Sequence, residues 1–296
     1  MATRSMTEPA PLTAGQRPRR PAPSRLAKRI GRYTLLVVVA VVVLFPVYWM
    51  VLSTFQPEKY SLTYPPPFFL HGFNLGALTS LFEQQPIVAW LAHSLLVSVL
   101  AVVITVLLAV PGGYLLSRLR WRGSGVFGFL LLFTQIMPGA MIVVPELQFY
   151  RLLNWTNNLF ALPAVYAAFT VPLGCWILKS AFDNVPGEVV EAAIVDGTSR
   201  IGVLLRILVP LSRPALTAVV VVAFFVSWND YVFASAFITN RGLYTAGLGI
   251  STFISEEDIQ LYQLQAAAVV FSLVPAALYM IVSRHIVRGL TAGAVK

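Results

Sequence analysis

Six long apolar runs, separated by polar connections, organise the chain from about residue 33 to its end. They cover approximately residues 33–55, 90–117, 126–145, 159–178, 214–238 and 265–283. A membrane-crossing helix needs roughly 20 apolar residues, because the hydrocarbon core is about 30 Å thick and each residue rises about 1.5 Å. The runs have that length, and none shows the period-two alternation of a membrane β-barrel strand. A helix satisfies its backbone hydrogen bonds within one segment, which lipid demands. The pattern predicts an all-α membrane protein with six transmembrane helices. Only the fifth run holds an acidic residue, Asp230.

Composition agrees. Charged residues make up 11% of the 296, against about a quarter in soluble domains, and mean hydropathy is +0.76. So few charges cannot cover a water-facing globule, which excludes an ordinary soluble enzyme. The net charge of +9 is informative once its location is known. Eighteen of the 21 basic residues fall in the N-terminal tail, after the second run (Arg118, Arg120, Arg122), around the fourth connection (Lys179, Arg200, Arg206, Arg213) and at the C-terminal end. The alternate connections hold only Lys59, Arg151 and Arg241. Basic loops stay in the cytoplasm, so both termini of a multi-pass membrane protein are expected there. The positive charge is then topological, and no nucleic-acid partner is implied. Residues 1–32, rich in Pro and Arg, are expected to be a disordered basic cytoplasmic tail near anionic membrane lipid. The first run, 23 residues without a charge or a following small-residue cleavage site, reads as an uncleaved span.

The external connections divide less sharply. Residues 56–89 carry Tyr64-Pro65-Pro66-Pro67 and several phenylalanines, and residues 239–264 carry Glu256-Glu257-Asp258. Each fits either a solvated, interfacial loop or a docking surface for an external partner.

The fourth connection, residues 182–213, is patterned. Pro186 suits the first turn of a helix, Glu188 the positive end of its dipole, and Gly197 the left-handed residue after its end. A second helix can start at Thr198 or Ser199 and is expected to stop by Pro210. On the first helix Val189, Val190, Ala193 and Ile194 form an apolar stripe, with Glu188 and Glu191 to one side. Such a helix could rest on the membrane surface, but that class carries Lys and Arg on its polar face and this one has none. Small Ala192 and Ala193 permit close approach, so a protein partner is favoured.

Glu191-Ala192-Ala193, three residues, Gly197, nine residues and Ile207-x-x-Pro210 resemble the EAA loop of the membrane subunits of bacterial ABC importers, with Val209 where that pattern has Leu. Trp228-Asn229-Asp230, Gly113-Tyr114 before Arg118, and the ending Gly289 to Lys296 are similar to the carbohydrate branch of maltose-transporter type; His93-Ser94 departs from its usual Asn-Ser. The resemblance implies a permease subunit of residues 33–296 that forms half of a translocation pathway. Glu188, Glu191, Ala192, Ala193, Asp196, Gly197 and Pro210 would couple it to a cytoplasmic ATPase dimer. It also implies a second permease subunit, an extracytoplasmic solute-binding protein and a small solute, a sugar or a sugar-like molecule. ATP and Mg would sit on the partner ATPase, with no cofactor or metal bound by this chain.

Ionisable groups inside a span usually face the bundle interior. Asp230, with Asn229 and Trp228, offers hydrogen-bonding groups and an aromatic face suited to a sugar. The equal alternative is that Asp230 caps a broken helix or pairs with a neighbouring subunit. Gln135 precedes Pro138-Gly139, where a break would free carbonyls toward a cavity. These four residues are the expected pathway groups, while His93 reads as a structural hydrogen-bonder and Cys175 as a small core residue. Gly123-x-Gly125-x-x-Gly128 satisfies a dinucleotide pattern but follows no strand, so no nucleotide is assigned. The rivals are a stand-alone ion-coupled carrier, which predicts an internal repeat, and a membrane enzyme, which needs a paired nucleophile and base; neither feature is visible. Within the importer class, a glycerophosphodiester or polyol is the alternative to a sugar.

Overall fold

The computed structural model describes residues 25–60, 63–65, 67–119, 121–254 and 261–293, with side chains between Arg29 and Val282. Glu256-Glu257-Asp258, Arg120, and the tail before Arg25 lie outside the described residues, as does the end from Ala294. The chain forms α1 (Arg25–Phe55), α2 (Gly76–Gln84), α3 (Ile87–Arg118), α4 (Ser124–Thr134), α5 (Gly139–Leu152) and α6 (Ala161–Asp183). It continues with α7 (Gly187–Val195), α8 (Arg200–Leu211), α9 (Arg213–Trp228), α10 (Val232–Phe237), α11 (Ala246–Ser251) and α12 (Leu261–Gly293).

Among the described residues, four segments are long and apolar enough to cross a membrane: Arg29–Phe55, Ile87–Arg118, Ala161–Asp183 and Leu261–Val282. They correspond to the first, second, fourth and sixth runs. The first helix starts earlier than expected, at Arg25, because Arg25-Leu26-Ala27-Lys28-Arg29 are all strong helix formers. Residues 25–32 are therefore helical rather than part of a disordered arm. The structure departs from the expected third and fifth spans. The third run divides into α4 and α5, bent by 99°. The break falls at Gln135 to Pro138, where Pro138 supplies no N–H and adopts an extended conformation before Gly139. The fifth run divides into α9 and α10 around Asn229, Asp230 and Tyr231. Among the described residues, two bent pairs, α4 with α5 and α8 with α9, the latter bent by 83°, bring the candidate spans to at most six.

The chain separates into two units at Tyr48. The first unit holds the α1 residues up to that point, and its valines and leucines from Leu35 to Val47 are exposed. A helix apolar on all sides belongs in lipid or against another apolar surface.

In the second unit, α3 and α6 form the central pair, and α9 packs on both. Without water to drive association in lipid, close approach of small residues does the work. A Cβ on Gly113 would lie 2.9 Å from Leu178 Cβ and 3.1 Å from the backbone at Cys175 and Lys179. One on Gly174 would lie 2.9 Å from Ala109 Cβ and 3.1 Å from Val219 Cγ1, so this glycine admits both α3 and α9. Buried Thr105 of α3 and Thr170 of α6 join these two helices through their hydroxyls at 2.6 Å. Apolar clusters flank this seam: one around Leu162, Tyr166, Phe233 and Phe237, the other around Cys175, Leu178, Phe182 and Leu208. A third cluster gathers α2, α3, α11 and α12 around buried Trp90 and Phe253.

Gly113→Leu and Gly174→Leu should each destabilise the unit by about 3 kcal/mol or more, by forcing the helices apart. Gly125→Ala, where an added Cβ meets nothing within 4 Å, should stabilise it by about 0.5–1 kcal/mol. Thermal midpoints of the detergent-solubilised complex, read by size-exclusion chromatography, check both expectations.

Candidate functional site

The residues singled out above gather in two places: the helix pair between α6 and α9, and the breaks inside the third and fifth runs.

The pair begins at Pro186, whose ψ of 137° ends the preceding chain and starts α7 at Gly187. Helix α7 closes on Asp196 and Gly197. Gly197 has φ +82°, its N–H donates to Ile194 O at 3.0 Å, and Thr198 N–H donates to Ala193 O at 2.9 Å. These are the two bonds of a Schellman end, which a residue with a Cβ adopts only with strain. Ser199 Oγ accepts from Gly202 N–H at 3.2 Å and caps α8 two residues later. The turn thus has a fixed conformation.

The expected apolar stripe on α7 divides. Val190 and Ala193 pack inward against the Phe182–Leu208 cluster. Val189 and Ile194 face outward, Val195 is 86% exposed, and Ile201 and Leu205 of α8 join them. Glu188, Glu191, Ala192 and Asp196 are exposed on the same element. Helix α8 does not stop by Pro210 as expected; it reaches Leu211. Residues Leu204–Leu208 form a π-helical turn, and this wider turn takes up the disturbance of a proline that cannot donate and crowds the carbonyl four residues back.

A third component was not read as part of this site from the sequence. Arg118 Nη2 donates to the carbonyls of both Phe182 and Val185, at the junction of α6 and α7. Ser117 Oγ donates to Asp183 Oδ1 at 2.6 Å, and Lys179 Nζ pairs with Asp183 Oδ2 at 2.6 Å. A cation at a helix C-terminus satisfies carbonyls that have no intrahelical partner. The signal available was an arginine beside a helix end rich in orphan acceptors, but topology already accounted for that charge.

At the fifth-run break, Asp230 Oδ2 accepts from Tyr166 O–H at 2.8 Å and from Ala234 N–H at 3.0 Å, while Oδ1 accepts from Phe233 N–H at 3.4 Å. The carboxylate caps α10 and ties it to α6, the capping alternative raised above. Gln135, exposed at the end of α4, donates from Nε2 to Phe169 O at 2.9 Å. Both breaks therefore lean on the same stretch of α6, between Tyr166 and Phe169. Asn229 is exposed and its Nδ2 donates back to Phe225 O at 3.0 Å. Trp228 is 1% exposed, with its ring 5.5 Å from Phe224 and 5.2 Å from Phe271, so it packs inside the chain.

The remaining candidates are structural. His93 Nδ1 lies 3.0 Å from Tyr244 O, and the next residue, Ser94, accepts from Ala246 N–H at 2.8 Å. Gly128 of the glycine pattern packs against Trp176. Among the described residues no three His, Cys, Asp or Glu side chains group to hold a metal.

Long apolar helices, two of the apolar runs broken in mid-course, and a rigid exposed helix pair define an integral membrane transport subunit. Residues 109–292 match the family described as binding-protein-dependent transport system inner membrane component, and the chain belongs to that family. It is 33% identical over 274 residues to the inner membrane ABC transporter permease protein YcjP of Escherichia coli, covering 92% of this chain and 98% of that one. It is 31% identical over 279 residues to the trehalose/maltose transport system permease protein MalG of Thermococcus litoralis, covering 91% and 97%. The fold also resembles a chain in the crystal structure of a bacterial ABC transporter that imports the acidic polysaccharide alginate. There the TM-score is 0.73 at 22% identity, covering 90% of this chain and 99% of the other.

Asp230→Ala should cost about 2–3 kcal/mol, because it strands the Tyr166 hydroxyl and two N–H groups. Tyr166→Phe, which leaves the cap intact, should cost roughly 1 kcal/mol. Denaturation midpoints of the two variants, compared in one detergent, test the order.

Proposed function

We propose that this permease forms half of the translocation pathway for a sugar or sugar-like solute and receives the ATPase stroke through α7, its turn and α8. The observation that carries the coupling role is the helix pair itself. Its turn is fixed by the Schellman bonds, its outer apolar residues are exposed, and its root is fastened to α3 and α6 by Arg118. A surface pressed at Val189, Ile194 and Val195 moves as a body and passes that movement to the spans. Glu188, Glu191, Ala192, Asp196 and Gly197 form this contact, while Ala193 seats the helix from its inner side and Pro210 shapes the helix behind it.

The partners are a second permease subunit, a cytoplasmic ATPase dimer that carries ATP and Mg, and an extracytoplasmic solute-binding protein. Both termini of this chain lie in the cytoplasm. ATP favours the closed ATPase dimer, and closure shifts the permease pair toward outward access by as much as the two states differ in affinity for it. The chain itself supplies no catalytic group. The sugar assignment draws support from relatives whose names specify trehalose/maltose and, in Agrobacterium fabrum, sulfoquinovosyl glycerol at 30% identity. On the pathway side Gln135 and Asn229 are exposed at the two breaks, and Asp230 holds the second break open.

Gly197→Pro and Glu191→Lys should leave the complex assembled but lower uptake at least tenfold more than ATP hydrolysis. Reconstituted vesicles with ligand-loaded binding protein measure both, and normal coupling in both variants would sink the role. Gln135→Ala and Asn229→Ala should lower the rate of solute uptake several-fold without altering basal hydrolysis. Uptake by the purified chain without an ATPase would instead support the carrier alternative.

A further inference from the structure

An open groove of about 690 Å³ lies at the end of α3, lined by Leu115, Arg118, Leu119, Trp121 and Arg200. Among the described residues its lining holds two guanidinium groups, an indole and two leucines, and no carboxylate. The acid close to Arg118, Asp183, is already matched by Lys179 and Ser117, each at 2.6 Å. Arg118 is held in position by the carbonyls of Phe182 and Val185. Arg200, the first residue of α8, is exposed. Trp121 is 44% exposed just beyond the end of α3, the position in which indoles mark a membrane interface.

Guanidinium groups recognise phosphate through paired N–H donors, and a held arginine loses little freedom in doing so. A soluble phosphate would use the two arginines but gain nothing from Leu115, Leu119 and Trp121. A phospholipid uses both parts: its phosphate meets the guanidinium groups, and its glycerol and first methylenes lie on the leucines and the indole. A zwitterionic headgroup would bring an ammonium toward two like charges, so an anionic lipid is favoured.

We propose that this groove binds the headgroup of an anionic phospholipid, such as phosphatidylglycerol, from the cytoplasmic leaflet. The site rests on the orientation adopted above, which puts the ends of α3 and α8 at the cytoplasmic face. The bound phosphate bridges Arg118 at the root of α7 to Arg200 at the start of α8.

The complete importer, in nanodiscs of phosphatidylcholine with or without phosphatidylglycerol, tests this directly. Native mass spectrometry should find one more tightly held phosphatidylglycerol per permease chain in the wild type than in Arg200→Gln/Trp121→Ala, with Arg200→Lys retaining most of it. Brominated phosphatidylglycerol should quench the fluorescence component that Trp121→Phe removes several-fold more than brominated phosphatidylcholine does. Equal retention in wild type and double variant, or equal quenching by both lipids, overturns the proposal. So does displacement of the lipid by soluble glycerol phosphate, or cross-linking of Arg200→Cys to the ATPase, which would mean that protein covers the groove. Lipid retention is read without transport, so its loss is separable from failure of the sugar or coupling assignments.

Discussion

The stretch of α6 from Tyr166 to Phe169 carries the two bonds on which both broken helices depend. In lipid, a helix that stops part-way exposes N–H and carbonyl groups that water cannot reach, and each must find a partner inside the protein. Asp230 meets that demand at α10, accepting from Phe233 and Ala234 N–H while its other contact holds Tyr166. Gln135 makes the matching link from the end of α4 to Phe169 O. The breaks are therefore tolerated because α6 is itself immobilised, by Gly113, Gly174 and the threonine pair against α3. Packing at one seam permits irregular backbone beside it.

The same helix reaches the other site. At its far end Phe182 and Asp183 are fastened by Arg118, Ser117 and Lys179, and α7 begins four residues beyond Asp183. The chain thus places its exposed apolar helix pair and its mid-span breaks on opposite ends of one element. The coupling proposed above requires a connection between the two faces, and α6, with its short hydrogen bonds and close-packed glycines, spans that distance.

Much of this was legible in the sequence. The apolar runs located the long helices, because burying a backbone in lipid leaves a 20-residue signature that tertiary packing does not erase. Gly197 announced the end of α7, since only glycine enters its φ of +82° without strain. The breaks were only partly legible. Pro138-Gly139 marked one, but a hydropathy pattern cannot report a 99° bend, because apolar residues fill both halves. Asp230 was visible as costly, yet capping and lining call for the same carboxylate, and only the position of Tyr166 separates them. Trp228 was ambiguous because its indole suits a sugar face and a packed interior equally; its stacking on Phe224 and Phe271, far apart in the sequence from each other, was not legible. Arg118 was hidden behind its topological role.

Pro172 and Gly174 sit on α6 between its two fastened ends, some 14 residues or roughly 21 Å apart from Phe169 to Asp183. Over that lever arm a tilt of about 5° displaces the Tyr166–Phe169 stretch by about 2 Å, more than bonds of 2.8 and 2.9 Å can stretch before they fail. Movement at the base of α6 is then either carried whole to both breaks or absorbed at the proline, with little room for a graded response between them.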